Sequence, residues 1–260
     1  SPCSYINRKE MDGERENVSV YVVKEGDNVD RIAETAGIPV GELLWANQIE
    51  YPYRLAVGQS LLIPEGSAAD REQSRRELYS FGYTYPFISR ETAEQTLPFL
   101  TDLYIFSYGF TEQGTLIPPL SDDTWLIRQA ADAGVDPVMV LTPLGADGRF
   151  NNNLVTALME DRRLQERLIW ELGRTMTEKG YRGLDVDFEY VEERDKEAFF
   201  HFLGRARERL HQDGFFLHVD LAPKTHAQQP GLLYAAHDYS VIGAIADSVL
   251  LMTYEWGYAY

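Results

Sequence analysis

Residues 181–189 read Tyr-Arg-Gly-Leu-Asp-Val-Asp-Phe-Glu, and this stretch decides both the fold and the site. Side chains alternate between the two faces of a β-strand, so Asp185, Asp187 and Glu189 share one face with Gly183. The opposite face carries Leu184, Val186 and Phe188. This pattern predicts a parallel strand whose apolar face packs under helices and whose carboxyl groups line an interior.

Three carboxyl groups on one buried face would repel and desolvate one another, so we expect at least one to stay protonated near neutral pH. A general acid needs such a protonated carboxyl group. Glu189 is last on the strand, at the carboxyl end where barrel active sites are built, and is therefore the predicted proton donor. The alternative is an ordinary strand with its acids facing water, which the apolar opposite face disfavours.

The pattern of the chain from residue 78 onward predicts an α/β fold, because strand-like and helical segments alternate. The strand candidates are 78–85, 103–110, 137–142, 183–189, 216–222 and 248–254, and the amphipathic segments between them include 124–133, 161–179 and 196–212. No Gly-x-Gly-x-x-Gly turn follows the first strand, which argues against a dinucleotide fold. We predict a (β/α)8 TIM-type barrel that is C-terminally incomplete, with about six βα units.

The first part of the chain has a different pattern. Residues 18–23 alternate like a strand, Gly26 begins a turn, a helix follows from Val29, a second helix covers 40–47, and 61–63 reads as a returning strand. This small unit is β-α-α-β, and we expect Trp45 in its core. The predicted organisation is a small domain at 18–64, a linker at 65–77 and the barrel at 78–260, with residues 1–10 as an extension.

The composition excludes several classes of partner. The chain of 260 residues has 24 Lys and Arg against 41 Asp and Glu, a net charge of -17, which disfavours nucleic acid and anionic membranes. No apolar run reaches the roughly 18 residues of a membrane span, and no signal peptide is visible. One cysteine and scattered histidines predict no metal site and no cofactor.

The acidic strand resembles that of glycoside hydrolase family 18, the chitinase-like barrels, whose pattern is Asp-Gly-x-Asp-x-Asp-x-Glu. Arg182 stands in place of the first Asp. Residues 251–256, Leu-Met-Thr-Tyr-Glu-Trp, are similar to the family's sixth strand, with Glu255 where Asp is usual. Within the family, residues 222–224, 234–239 and 252–257 look most like the spore-germination enzymes that cut cortex peptidoglycan. The third strand lacks the Ser-x-Gly-Gly common in chitinases.

This resemblance implies a substrate-assisted mechanism, in which the substrate's own N-acetyl group attacks the anomeric carbon. It implies that Glu189 protonates the glycosidic oxygen, that Asp187 binds the acetamido N–H and that Asp185 shares a proton with Asp187. It also implies that Tyr254 holds the acetamido oxygen. The remaining predicted substrate contacts are Glu255 at sugar hydroxyls, Met252 packed under the sugar, Trp256, and Lys224 at a substrate carboxylate, although a solvated lysine is the simpler interpretation.

The small unit resembles a LysM module, a domain that binds N-acetylglucosamine-containing glycans. The matching segments are 21–27, 32–33, 43–47 and 57–64. The resemblance implies a shallow groove between two loops, one containing Gly26, Asp27, Asn28 and Val29 and the other containing Ile49 and Glu50. Gly26 and Asp27 also read as a simple turn with a helix cap, and both interpretations can hold together.

We therefore predict a peptidoglycan hydrolase of the spore cortex that cleaves β-1,4 linkages at N-acetylglucosamine, located at the bacterial spore or cell wall. Its predicted partner is peptidoglycan or a chitin-like polymer of N-acetylglucosamine. A chitinase or chitooligosaccharide hydrolase would use the same residues. A non-catalytic glycan-binding or spore-coat protein is the alternative from another class.

Overall fold

The computed structural model describes residues 19–64 and 78–254. Internal contacts divide the chain into two compact units, Ser1–Glu77 and Leu78–Tyr260. The predicted extension at 1–10, the predicted linker at 65–77 and the predicted site residues Glu255 and Trp256 lie outside the described residues. None of the helices among the described residues is both long and apolar enough to cross a membrane.

The N-terminal unit has the β-α-α-β order that the sequence predicts. Its elements are β1 (Ser19–Val22), α1 (Val29–Ala36), α2 (Val40–Ala46) and β2 (Ser60–Ile63), and β1 pairs antiparallel with β2. Asn28 begins α1 by accepting a hydrogen bond from the Arg31 N–H at 2.9 Å, and Gly37 ends it at a φ of 69°. The buried core comprises Val23, Val29, Ile32, Ala33, Leu43, Leu61 and Ile63.

One prediction for this unit is wrong, because Trp45 is 84% exposed instead of lying in the core. A helix turns about 100° per residue, so a side chain two positions after Leu43 points to nearly the opposite face. The inward positions of α2 are Leu43, which is fully buried, and Asn47 just after the helix. The Asn47 side chain accepts from Leu62 N–H at 2.7 Å and donates to Leu62 O at 2.9 Å, which joins α2 to β2.

The larger unit alternates strands and helices. Its strands are β3 (Phe81–Thr84), β4 (Asp102–Phe110), β5 (Leu116–Ile117), β6 (Asp136–Leu141), β7 (Gly183–Val186), β8 (Phe216–Leu221) and β9 (Ser248–Leu251). Its α-helices are α3 (Arg90–Thr96), α4 (Thr124–Asp132), α5 (Asn153–Glu160), α6 (Arg162–Lys179), α7 (Lys196–Gln212) and α8 (Tyr239–Ile245). The strand order is β3-β4-β6-β7-β8-β9, all parallel, and β5 pairs antiparallel with the end of β4. This curled parallel sheet with helices is the half-barrel that the alternation predicts.

Two strands end three residues earlier than the sequence pattern predicts, and both do so because a neighbouring strand ends. The strand predicted at 183–189 ends at Val186, where β6 ends at Leu141, and Asp187 N–H makes one further bond to Leu141 O at 3.0 Å. The strand predicted at 248–254 ends at Leu251, and Met252 N–H donates to Leu221 O at 3.0 Å. The positions of the residues that follow each strand therefore depend on their own contacts and not on strand pairing.

The two faces of the sheet have different contents. Leu184, Val186 and Phe188 belong to the main apolar core, together with buried side chains of the helices. The inner face carries an aromatic floor of Phe81, Tyr104, Phe216 and His218, in which the Tyr104 and His218 rings lie 4.9 Å apart. Gly183 fits here because a β-carbon at this position would lie 2.4 Å from the Phe216 ring. The acidic face of β7 thus rests above packed aromatic rings.

A second buried group of polar side chains lies on the helix side of the sheet. It comprises Asp123, Tyr108, Tyr181 and Lys179, and we call it the outer cluster. Asp123, just before α4, is fully buried. Its Oδ2 accepts hydrogen bonds from the hydroxyls of Tyr108 at 2.7 Å and Tyr181 at 2.6 Å, and its Oδ1 pairs with the Lys179 ammonium. The charge of this aspartate is therefore compensated by a cation and by two donors.

Candidate active site

The three acids of the predicted strand become more accessible toward its carboxyl end. Asp185 on β7 has no exposed surface, Asp187 is 8% exposed, and Glu189 is half-buried. The structure thus brings the three acids into one column that opens at the carboxyl end of the sheet, where a parallel barrel carries its active site.

The sequence prediction missed two further members of this site, Tyr83 on β3 and Asp220 on β8. The Tyr83 hydroxyl lies 3.1 Å from Asp185 Oδ2 and 2.9 Å from Asp220 Oδ1. Asp220 is only 5% exposed, and it follows Val219, which pairs with Val186 just before Asp187. The alternation of His218 and Asp220 within a buried strand is the signal that could have identified Asp220. We call Tyr83, Asp185, Asp187 and Asp220 the inner cluster.

Burial controls the protonation of this cluster. Desolvation raises the pKa of Asp185 well above its ordinary value, and the charges of Asp220 and Asp187 raise it further. Desolvation also raises the pKa of Asp187, to about 8, with added contributions from Asp220 and then Glu189. Carboxyl groups of this kind hold a proton at neutral pH.

The inner cluster has no cation to compensate it among the described residues: none of their lysine or arginine ion pairs includes Asp185, Asp187 or Asp220. One basic side chain of the described residues lies beside it, His218, whose Nε2 is 3.6 Å from Asp220 Oδ1. Three buried atoms, Asp185 Oδ1, Asp187 Oδ1 and His218 Nε2, have no hydrogen-bond partner. Unpaired polar atoms in a buried site are costly and are typical of a site prepared for another molecule or for proton transfer.

Three residues around this site carry atoms that could ligate a metal ion. Asp185, His218 and Asp220 each offer an oxygen or nitrogen atom, and these atoms lie within 4.8 Å of one another. However, the Tyr83 hydroxyl lies between the two carboxyl groups within hydrogen-bonding distance of both. A hydroxyl bridging two carboxyl groups is a proton-sharing arrangement, and we interpret the group in that way.

The other predicted substrate contacts lie around the same end of the sheet. Met252 follows β9 and is buried, whereas Tyr254 is 68% exposed. Lys224, after β8, is half-buried, and its ammonium donates to the carbonyl oxygens of His237 at 2.9 Å and Tyr234 at 3.3 Å. These two bonds leave one of the three lysine donors for a ligand. The assignment of these three side chains to substrate binding stays a prediction.

An exposed aromatic group lies where β3 ends, and the sequence analysis did not single it out. The rings of Tyr85 and Phe87 stack at 5.0 Å with an angle of 13°, and Phe106 contacts Tyr85 at 5.4 Å. Tyr85 and Phe87 are both exposed. Flat, exposed aromatic rings beside an acidic site offer a surface on which sugar rings can pack.

The predicted glycan groove of the small unit has a rigid first loop. Gly26 has a φ of 84°, and Asp27 Oδ2 accepts from the Tyr21 hydroxyl and from Lys24 N–H, both at 2.8 Å. The hydrogen bond from Lys24 N–H, and after it the one from the Tyr21 hydroxyl, holds the pKa of Asp27 below its usual value. Asn28 caps α1 and the Val29 side chain is buried, so Val29 can offer a ligand only its backbone.

The second loop of this groove is more open. Ile49 packs partly against the core and Glu50 is exposed. Tyr51 is 83% exposed and contacts Tyr53 edge-on at 5.7 Å. The sequence analysis named Ile49 and Glu50 but not these two tyrosines, which offer more apolar surface to a sugar ring.

Known proteins are similar to both units of this chain. Residues 21–64 match the LysM domain. A cortical fragment-lytic enzyme of Bacillus subtilis is 35% identical over 93% of this chain and 67% of its own length. The chain belongs to the cortical fragment-lytic enzyme family. This membership confirms the resemblance to the chitinase-like barrels of glycoside hydrolase family 18 with an N-terminal LysM domain.

Solved structures of the family and of a chitinase share the fold. The spore cortex-lytic enzyme SleL of Bacillus cereus superposes with a TM-score of 0.68 at 32% identity over 92% of this chain. A class V chitinase from Pseudomonas fluorescens has a TM-score of 0.64 at 25% identity over 69% of this chain. The chain spans 54% of the SleL chain and 55% of the chitinase chain. The half-barrel of this chain therefore aligns with part of the barrel in each of these structures.

Proposed function

We propose that this protein hydrolyses β-1,4 linkages beside N-acetylglucosamine in spore-cortex peptidoglycan, with retention of configuration. The observation that carries the proposal is the column of Asp185, Asp187 and Glu189, which leads from a fully buried carboxyl group to a half-buried one at the carboxyl end of the sheet. Membership in the cortical fragment-lytic enzyme family supports the choice of substrate.

In the proposed reaction, Glu189 gives its proton to the glycosidic oxygen as the bond to the anomeric carbon breaks. The carbonyl oxygen of the substrate's acetamido group forms a bond to that carbon from the other side, which gives an oxazolinium ion and removes the need for a protein nucleophile. Water then attacks the same carbon while the Glu189 carboxylate accepts its proton, and the bond from this carbon to the acetamido oxygen breaks, which restores the acetamido group. Two displacements at one carbon retain the configuration.

Asp187 has to stabilise the positive charge that develops on the acetamido group, and it does so as a carboxylate that accepts the acetamido N–H bond. Its pKa of about 8 in the absence of substrate means that it must first pass its proton on. Asp185, the buried neighbour, is the proposed group that shares this proton. Tyr254 donates to the acetamido oxygen in this proposal, while Met252 and Lys224 contact the sugar and its substituents.

The LysM unit supports this function by holding the enzyme on its polymer. Binding to one part of a glycan raises the local concentration of further linkages for the covalently attached hydrolase. The groove residues proposed for this contact are Gly26, Asp27, Asn28, Val29, Ile49 and Glu50. We propose that the protein acts at the spore cortex.

Substitution of Glu189 tests the function directly. Glu189→Gln removes the proton donor with little change in shape, and we expect turnover of purified cortex fragments to fall by about 10²- to 10⁴-fold. The matched control is Glu192→Gln, because Glu192 is an exposed carboxylate three residues further on that pairs with Arg194 at 2.8 Å. Unchanged turnover in Glu189→Gln would leave a glycan-binding or spore-coat protein as the better interpretation.

A chitinase activity is the second candidate, and the structural similarity to the class V chitinase favours it. The same acids would act on the same linkage, so the substrate and not the mechanism separates the two. Product analysis with cortex fragments and with chitin oligomers, at equal concentrations of N-acetylglucosamine, gives the two specificity constants. A larger kcat/KM for chitin oligomers would assign the protein as a chitinase.

A further inference from the structure

The contact geometry of Tyr83 requires a proton on one of its two carboxyl neighbours. A phenol has one hydrogen and can donate only one hydrogen bond. The Tyr83 hydroxyl nevertheless lies 3.1 Å from Asp185 Oδ2 and 2.9 Å from Asp220 Oδ1. If Tyr83 donates to one of these groups, the other contact is a hydrogen bond only when that second carboxyl group is protonated and donates to the Tyr83 oxygen.

Burial decides which carboxyl group carries this proton. Asp185 is fully buried, and desolvation followed by the charge of Asp220 raises its pKa well above the ordinary value. Asp220 is at the shorter distance from the Tyr83 hydroxyl and has His218 Nε2 3.6 Å away. When the proton that Asp185 and Asp187 share is on Asp185, the consistent arrangement has neutral Asp185 donating to Tyr83 and Tyr83 donating to the Asp220 carboxylate.

We propose that Asp220 is a positioning residue of the active site, which acts through Tyr83 on Asp185 and by its negative charge on Asp187 to hold the proton that this pair shares. The proposal rests on the proposed glycosidase function and deepens it, because it assigns the protonation of the reacting pair to a residue on a different strand. Asp220 need not touch the substrate for this role.

Among the described residues, no lysine or arginine ion pair compensates the charge of Asp220. The titratable groups that face it are Tyr83 on β3, Asp185 and Asp187 on β7 and the segment after it, His218 on its own strand, and His237 before α8. His237 Nδ1 accepts the Ala222 N–H at 2.9 Å, so its other nitrogen donates to Phe188 O at 3.2 Å and the ring is neutral. Desolvation lowers the pKa of His237, which keeps this ring neutral.

The negative charge of Asp220 determines the direction in which the pH profile should move when it is removed. Removing a negative charge close to Asp185 and Asp187 makes their ionisation easier, so the pair would lose its shared proton, and with it the hydrogen bond from Asp185 to Tyr83, at lower pH. The pH dependence of kcat/KM reports the ionisations of the enzyme without substrate. The alkaline limb of this profile should therefore move to lower pH when Asp220 loses its charge, whereas a purely structural role of Asp220 would lower activity without moving the limb.

The experiment measures kcat/KM on cortex fragments from pH 4 to 10 for the unsubstituted protein and for Asp220→Asn. We expect the alkaline limb of Asp220→Asn to move down by about one pH unit or more, the usual effect of one nearby charge. Asp220→Glu keeps the charge, so its alkaline limb should lie close to that of the unsubstituted protein. Asp123→Asn is the matched control, because it changes a buried aspartate that also accepts from tyrosines but lies on the helix side of the sheet.

If Asp220→Asn does not fold, the smaller Asp220→Ser, which also keeps an acceptor for Tyr83, replaces it and should give the same shift. An unmoved limb in a folded, active Asp220→Asn or Asp220→Ser variant overturns the proposal. An equal shift in Asp123→Asn also overturns it, because the effect would then not depend on the inner cluster. Glu189→Gln in the same assay separates the two proposals, since its full activity would overturn the glycosidase function itself.

Discussion

The inner and outer clusters are two buried groups of aspartate and tyrosine on opposite faces of one sheet. In the outer cluster, Asp123 receives two hydroxyl donors and the Lys179 ammonium, so its charge is balanced. In the inner cluster, Asp185 and Asp220 share the Tyr83 hydroxyl, and no lysine or arginine ion pair reaches the three aspartates among the described residues. Balanced burial of charge stabilises a fold, whereas unbalanced burial keeps protons on acids and so prepares them for chemistry.

The largest expected effect is on the activity of the inner cluster. Asp187→Asn keeps the shape but cannot supply a negative charge to the acetamido group, so we expect kcat to fall by about 10²- to 10³-fold, as for the loss of one electrostatic contact in a transition state. Steady-state kinetics on cortex fragments at pH 6 measure it. A kcat within threefold of that of the unsubstituted protein would contradict the assignment of the inner cluster to catalysis, since it would then contribute no more to activity than the outer cluster.

The next effect concerns the stability that the outer cluster provides. Asp123→Asn leaves the Lys179 ammonium without its carboxylate, and we expect the free energy of unfolding to fall by about 2–3 kcal/mol because a partly buried charge loses its partner. Chemical denaturation measures this loss, and kcat at 25 °C should change by less than twofold. A large loss of kcat with unchanged stability would reverse the roles of the two clusters.

A smaller effect links the inner cluster to the pH dependence of stability. Folded Asp187 keeps its proton up to about pH 8, whereas in the unfolded chain it loses the proton near its ordinary pKa of 3.8. The folded state therefore binds more protons between these values, and the free energy of unfolding falls as pH rises through this range. In Asp187→Asn part of this fall disappears, so the variant should gain more stability over the unsubstituted protein at pH 8 than at pH 5.

Thermal unfolding at the two pH values measures this difference. The same comparison for Asp123→Asn is its control, because that substitution removes a balanced charge. An equal gain of Asp187→Asn at pH 5 and pH 8 would contradict the raised pKa of Asp187.

The smallest effect is expected for exposed charges. Arg174 on α6 pairs with Glu178 one turn later at 2.8 Å, and both side chains are largely exposed. Glu178→Gln should lower the free energy of unfolding by less than about 0.5 kcal/mol, because water and salt screen such pairs. Chemical denaturation checks this value. A loss as large as that of Asp123→Asn would show that burial is not what separates the charge groups of this protein.

The sequence predicted the elements of the fold well because their information is local. The alternation of 181–189 and the helical spacing of 161–179 lie within single elements, and the observed β7 and α6 fall inside those ranges. The same local information placed Asp185, Asp187 and Glu189 on one face. It failed for the ends of β7 and β9, since a strand ends where its partner does, and the partner is distant in sequence.

Long-range contacts explain what the sequence did not predict in the site. Tyr83 precedes Asp185 by 102 residues and Asp220 by 137, so no spacing rule joins them. Only the curvature of the sheet brings β3 across to β7 and β8. Trp45 illustrates the reverse error, since its apolar character suggested burial although the helix turns it outward.

The aromatic floor below Asp185 restricts how a long polymer can approach the acids. Rings of Phe81, Tyr104 and His218 pack against one another beneath the column, with Tyr104 and His218 almost completely buried. A glycan chain reaching these acids would have to lie across the mouth of the sheet instead of threading through it. Cleavage in the middle of a strand would then need no free chain end, and both fragments could leave on the side from which the polymer arrived.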